Sequence, residues 1–192
     1  MKILQIGCND GNDHVYKYVV SNKDKIEKLI LLDANPKSIN LCKNRYREYN
    51  FCEFISKAII DEYHTSISIF LPSNEDSSEH CSVYREHLLK HEHKNENIIE
   101  VIVESQNINS FLEEHKLYNL DRLYIDTEGL DVKILNAIHM DRFNINNICF
   151  EYVHSDGAHS HGGENLNRCL KKLQNYGYSI TQDGYNLIAT KI

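Results

Sequence analysis

Nowhere in this chain do about 18 apolar residues follow one another, the length a membrane-spanning helix needs, so no membrane span is expected. The opening Met1-Lys-Ile-Leu enters an apolar run too short and too poorly flanked for a signal peptide. A cytoplasmic location is therefore expected, or the host cytoplasm if the source is a virus. The six cysteines (Cys8, Cys42, Cys52, Cys81, Cys149 and Cys169) include no CxxC pair, which argues against a zinc ribbon and a disulfide framework. Lysine and arginine cluster only around residues 43–47 and the formal net charge is -7, so no nucleic-acid partner is expected. Small molecules or neutral glycans suit such a surface better. No internal repeat is present. What remains is 192 residues, 41% of them hydrophobic, which fits a single domain spanning 1–192 with a full core.

Period and punctuation give the order of elements. Lys2-Ile-Leu-Gln-Ile6 is a short apolar run ending at Gly7, and residues 15–20 carry helical spacing after a polar turn. Residues 29–32 form a second run that closes on Asp33. Asn35-Pro36 then opens a helix whose Ile39, Leu41, Cys42 and Tyr46 share a face, with Pro36 suited to its first turn. Residues 51–60 read as one strand, 67–71 and 98–103 as further strands, and 108–115 as a short helix. Residues 148–153 read as a strand and 164–176 as a helix; 178–181 and 187–190 make a closing hairpin through Gln182-Asp-Gly-Tyr-Asn186. Strands alternating with helices imply an α/β fold with a parallel sheet covered on both faces. With the hairpin added, a seven-stranded, mainly parallel, Rossmann-like sheet with a C-terminal antiparallel hairpin is predicted.

Residues 72–97 stand apart as a polar insertion or lid, rich in Ser, Glu, His and Asn. His80, His87, His91 and His93 lie within it, and His87 and His91 would share a helical face. There is no HExxH order and no nearby acid of clear role, so a metal site is not favoured there.

The most informative stretch is Leu123-Tyr-Ile-Asp-Thr-Glu-Gly-Leu-Asp-Val-Lys-Ile-Leu135. A strand-like run breaks into Asp126-x-Glu128-Gly129 and an amphipathic helix follows. Two carboxylates thus stand at the carboxyl end of a strand, where open α/β sheets bind ligands. Equally, either acid could cap the helix that starts near Leu130. Gln5-Ile-Gly7-Cys-Asn-Asp-Gly11 puts two glycines after the first strand, where missing β-carbons let a ligand approach. The third glycine of a dinucleotide fingerprint is lacking. Asp33 ends the second strand, the place from which an acid reaches both hydroxyls of a ribose. Asn35 is the more natural cap for the following helix, which leaves Asp33 for a ligand. Ala58 and Ile59 could form an apolar shelf beside an adenine ring, though core packing explains them equally well.

In chain order, Leu4-Gln-Ile-Gly-Cys-Asn-Asp-Gly11, Leu32-Asp-Ala-Asn-Pro36, Lys57-Ala58 before Asp61, Ile108-Asn-Ser-Phe-Leu112 and above all Ile125-Asp-Thr-Glu-Gly-Leu-Asp131 resemble the blocks of FkbM-type S-adenosylmethionine-dependent methyltransferases. The resemblance implies a class I methyltransferase fold, S-adenosylmethionine as methyl donor, and an acceptor hydroxyl on a sugar, glycan or polyketide-like compound. It implies that Gly7, Asn9, Asp10 and Gly11 cradle the methionine part of the cofactor. Asp33, with Ala34 and Asn35, would meet the ribose, and Ala58 and Ile59 the adenine; Asp126 would stand beside the methionine amine or the acceptor. Leu32-Asp33 stands where the family commonly has Phe-Glu, and Asn109 replaces the usual Thr or Leu, a change that touches packing. The chain starts almost on its first strand, without the helices that often cover the cofactor. Either the 72–97 insertion or another subunit, as in a homodimer, would close the site, or it is open.

Methyl transfer is an in-line displacement that needs the acceptor oxygen held about 3 Å from the methyl carbon and a base within hydrogen-bond reach. Asp126, Glu128, Glu151 and His154 are the candidates, with His154 or Glu128 favoured; His154 could equally be a hydrogen-bonded core histidine. Asp126 with Glu151 could also hold a magnesium or calcium ion that binds two sugar hydroxyls. An NAD-dependent oxidoreductase on the same sheet and a non-catalytic glycan-binding relative are the competing readings.

Overall fold

Leu29, Ile30, Leu31 and Leu32 are all fully buried, although they are consecutive in one strand. Only a strand covered on both faces needs apolar residues at every position, and that is the environment of a parallel sheet between layers of helices. In the computed structural model, which describes residues 1–73, 80–157 and 160–192, Lys2–Ile6 (β1) and Lys28–Asp33 (β2) pair in parallel. Alternate side chains go to opposite faces. Ile3, Leu29 and Leu31 join Val15 and Val19 of His14–Asn22 (α1) and Ile39 and Cys42 of Pro36–Arg45 (α2). Leu4, Ile30 and Leu32 point the other way, into a core that includes Phe111, Ile134 and Leu135.

The remaining elements are Cys52–Ser56 (β3), Ala58–Ile60 (β4), Ser66–Pro72 (β5), Arg85–Lys90 (α3), Ile98–Asn107 (β6), Ile108–Glu114 (α4) and Asn119–Ile125 (β7). Asp131–Ala137 (α5), Asn144–Glu151 (β8), Glu164–Asn175 (α6), Tyr178–Asp183 (β9) and Asn186–Lys191 (β10) complete the chain. The main sheet has seven strands in the order β3-β2-β1-β7-β8-β10-β9, and only the C-terminal hairpin strand β10 runs antiparallel to its neighbours. This is the predicted architecture. β1 lies between β2 and β7, so the chain leaves it to one side first and to the other later, which makes a crevice at its carboxyl end.

The predicted strand over 51–60 is two strands. β3 pairs with β2 in the main sheet, while β4 pairs with β6 and belongs to a second sheet of order β4-β6-β5. Lys57 makes the break, donating its backbone N–H to the Asp33 carbonyl at 3.0 Å. The runs at 67–71 and 98–103 therefore build this smaller sheet, which shares the Phe111 core through Ala58, Ile59 and Ile60. Among the described residues no helix is long and apolar enough to cross a membrane.

Asn109 sits buried at the start of α4 and ties it to the end of α5. Its Nδ2 donates to the Ala137 carbonyl at 2.9 Å, and its Oδ1 accepts from the His139 N–H at 2.8 Å. Asn109→Ala would strand both backbone groups, each costing about 1–3 kcal/mol when left unpaired. A urea melt of this variant should therefore show a lower midpoint with an unchanged slope, and an unchanged midpoint would mean that the tie carries no stability.

Candidate active site

The carboxyl ends of β1, β2 and β7 open on a cavity of about 240 Å3. Gly7, Asn9, Asp10, Asp33, Ala34, Ala58, Ile59, Asp126 and Glu128, all expected at a site, line it. Gly11 and Asn35 do not. Gly11 packs against Cys42 and Tyr46, and Asn35 is buried as the cap of α2, its side chain accepting from the Lys37 N–H at 3.0 Å.

The protein's own packing already requires a glycine at position 7. A β-carbon at Gly7, where φ is +80°, would stand 1.7 Å from the Asp126 carbonyl oxygen. Beside it, the Asp33 carboxylate accepts from the backbone N–H of Asn9 and of Asn35, both at 2.8 Å. Those two bonds aim the carboxylate and leave lone pairs to meet a ligand. The Asp10 carboxylate pairs with Arg45 at 2.9 Å.

Neither Asp126 nor Glu128 caps α5. Asp131, the first residue of α5, turns its Oδ2 back onto the preceding loop, accepting from the Thr127 N–H and hydroxyl and from the Gly129 N–H, while Thr127 Oγ1 accepts from the Leu130 N–H. Asp126 is thereby left facing the cavity. Glu128 adopts a left-handed backbone, φ 53°, which is uncommon for a residue with a side chain.

The insertion folds over this loop. Ser82 pairs with Phe70 at the edge of β5 and donates its hydroxyl to the Glu128 carbonyl at 2.7 Å. The Tyr84 hydroxyl accepts from Lys133 of α5 at 2.7 Å, and Cys81, Ser82 and Val83 line the cavity. These three residues of the insertion thus form one wall of the cavity. Behind Glu128 lie the buried His87 of α3 and His154 after β8, 2.9 and 3.5 Å from its Oε2. His154 and Glu151 do not line the cavity; they stand one layer back, with 3.7 Å between His154 Nε2 and Glu151 Oε2. Among the lining residues that sequence reasoning did not assign to the site are Asn12, Asp13, Cys81, Ser82, Val83 and Thr127, and it did not foresee His87 meeting Glu128 behind them.

Residues 5–180 match the methyltransferase FkbM domain. The chain belongs to the FkbM family of S-adenosylmethionine-dependent methyltransferases. No curated protein matches it by sequence. Its fold is similar to the methyltransferase FkbM from Methylobacillus flagellatus KT, with TM-score 0.54 and 12% identity over 98% of this chain and 43% of that one. It is also similar to a chain of the fibrillarin/Nop5p complex, with TM-score 0.50 and 10% identity over 100% of this chain and 72% of that one. These likenesses establish the class I methyltransferase fold. The chain spans less than half the length of the Methylobacillus protein.

Crowding shapes the electrostatics of this FkbM-family cavity. Burial pushes the Asp33 carboxyl up to about 6, against the two backbone hydrogen bonds that favour its charged form. Burial, then the carboxylates of Asp131 and Glu128, hold Asp126 well above the usual range. Glu151 is pushed up to about 9, by burial and then by Glu128 and Asp126, and burial holds His87 down to about 4. A cluster of acids displaced in this way is typical of a functional site.

Gly7→Ala should be the most damaging glycine change, because the left-handed backbone and the Asp126 carbonyl leave no room for a methyl group. Gly162→Ala, with nothing within 4 Å, should leave stability and ligand binding unaltered. Thermal melts of the two variants check this, and equal midpoints would show that the β1–β7 passage can relax.

Proposed function

We propose that this FkbM-family chain, working as one domain, transfers the methyl group of S-adenosylmethionine to a hydroxyl of a sugar or glycan. The observation that carries the reading is charge. Asp10, Asp13, Asp33, Asp126 and Glu128 line the cavity against one cation, Lys57, whose Nζ donates to Gln106 at 3.1 Å. Such a wall attracts the sulfonium and ammonium groups of the cofactor and repels the diphosphate of a dinucleotide, which counts against NAD. The same carboxylates accept hydrogen bonds from neutral hydroxyls. A non-catalytic relative would not need this arrangement.

S-adenosylmethionine, when bound, supplies an electrophilic methyl carbon. Asp33, aimed by two amides, accepts from the ribose hydroxyls, and Ala58 and Ile59 give the adenine an apolar wall. Asp10 and Asn9 lie at the turn where the methionine part would rest. Asp126 and Glu128 face the cavity and are the groups placed to take the acceptor's proton, and burial followed by the Asp131 and Glu128 carboxylates makes Asp126 more basic than usual. His154 touches Glu128 rather than the cavity, so it acts by positioning that carboxylate; Glu151 stands behind both. The magnesium or calcium ion expected on Asp126 and Glu151 has only the gathering of these acids with Glu128 in its favour, and no step of the transfer needs it.

Titration with S-adenosylhomocysteine and with NADH tests the reading. Binding of the first without the second is expected, and the reverse would sink it. Asp33→Ala should abolish S-adenosylhomocysteine binding. In the parent protein, hydroxyl donors favour ionised Asp33, so affinity should be constant above pH 6 and fall by up to about tenfold per unit below it. Calorimetry at a series of pH values reads this, and a flat profile would remove Asp33 from the ribose.

Asp126→Asn and Glu128→Gln should each slow transfer of labelled methyl to glycans of the source organism, by about 10²–10⁴-fold for the residue that is the base. Glu128→Gln should keep its affinity for S-adenosylhomocysteine. Full turnover in both variants would place the base elsewhere.

A further inference from the structure

The insertion brings more to the site than one wall. His87 lies in α3 and His91 follows one turn later at its C-terminal cap, so both imidazoles face the same way. Their ring nitrogens meet Nε2 of His154, from the end of β8, and Oε2 of Glu128, from the loop after β7. One donor atom from each of these four residues lies within 4.8 Å of the other three. Four donors around a tetrahedral zinc ion at about 2.0–2.1 Å stand roughly 3.4 Å from one another, so small side-chain rotations complete the shell.

The geometry points to a site for a borderline divalent transition ion of zinc's class, held by His87, His91, His154 and Glu128, that clasps the insertion to the ends of β7 and β8. Three imidazole nitrogens with one carboxylate oxygen favour zinc, cobalt or nickel over magnesium and calcium, which prefer all-oxygen shells. His87 and His154 are 1% and 7% exposed, so the ion would sit largely out of water.

Two further groups stand close by. Glu151 Oε2 lies 3.7 Å from His154 Nε2. His80 stacks on His91 with ring centres 4.3 Å apart, and its Nδ1 lies 2.8 Å from Nε2 of His93. With four protein donors the shell is closed, which is the mark of a structural ion rather than a catalytic one. The ion would fix α3 over the cavity and leave Asp126, which is not among the four, to face the acceptor. With Glu128 engaged by the ion, Asp126 is left as the base of the proposed transfer, while metal binding itself does not rest on that reading.

The full chain, stripped with a chelator and dialysed, is titrated with cobalt(II) and with zinc(II), and S-adenosylhomocysteine binding is measured on the same samples. One equivalent of cobalt with the visible bands of a tetrahedral nitrogen–oxygen shell is expected, and zinc should raise the thermal midpoint. His87→Asn and His91→Asn should each weaken cobalt binding by more than the roughly tenfold to hundredfold that an outer-shell loss costs, and the exposed His139→Asn should leave it unchanged. If His87→Asn fails to fold, His91→Asn decides alone. Absence of a stoichiometric ion, thiolate-to-cobalt bands that implicate Cys81, or full binding by His91→Asn would overturn the site. Metal binding lost with S-adenosylhomocysteine binding intact sinks the clasp alone; the opposite result sinks the methyl-transfer reading and leaves the clasp standing.

Discussion

Everything at the functional edge of this sheet hangs on one close passage, that of Gly7 beneath the carbonyl of Asp126. The two strands are joined there by the Asp126 N–H donating to Ile6 at 2.9 Å, and Gly7 in turn donates to Leu32 at 2.9 Å. Three strand ends are thus drawn together, and their side chains must diverge into one small space. Asp33 and Asp126 face the cavity because the backbone beside them has no room left for anything else.

That compression creates an electrostatic difficulty which the local sequence resolves unevenly. Asp131 absorbs the loose amides of Thr127 and Gly129, so the loop after β7 is held without help from the carboxylates of Asp126 or Glu128. The two acids are left with their charges close to one another and to Glu151. Desolvated carboxylates in contact hold protons more tightly, and a group that binds protons tightly is the kind that can accept one from a hydroxyl. The charge that makes the cavity unfavourable for the empty protein is the same charge that would welcome a cationic ligand.

The sheet was legible in the sequence because a doubly covered parallel strand leaves an unbroken apolar run, as at Leu29–Leu32, and because Gly184 marks the hairpin turn. Asp33 and Asp126 were legible as cavity-facing acids for the same reason: each follows such a run directly, with Glu128 two positions after Asp126. The split at Lys57 was not, since apolar residues on both sides of it suit either sheet and only the hydrogen bond to Asp33 makes the break. Nor was the meeting of His87 with Glu128. Their spacing of 41 positions hides the contact, and what joins them is the fold of a polar segment without periodicity. The i, i+4 pair of histidines was visible, but its acid came from another strand end. Gly11, a glycine of the same motif as Gly7, packs instead against Tyr46 and Cys42, outside the cavity lining.

Lys57 has a mechanical consequence. Its N–H bond to the Asp33 carbonyl at 3.0 Å fastens the start of β4 to the end of β2, so the wall of Ala58 and Ile59 is held to Asp33 through the backbone. On the opposite side of the cavity Ser82 and Tyr84 are fastened only by side-chain hydrogen bonds, which thermal motion opens more readily. The tempo of exchange would then be written in the insertion rather than in the sheet.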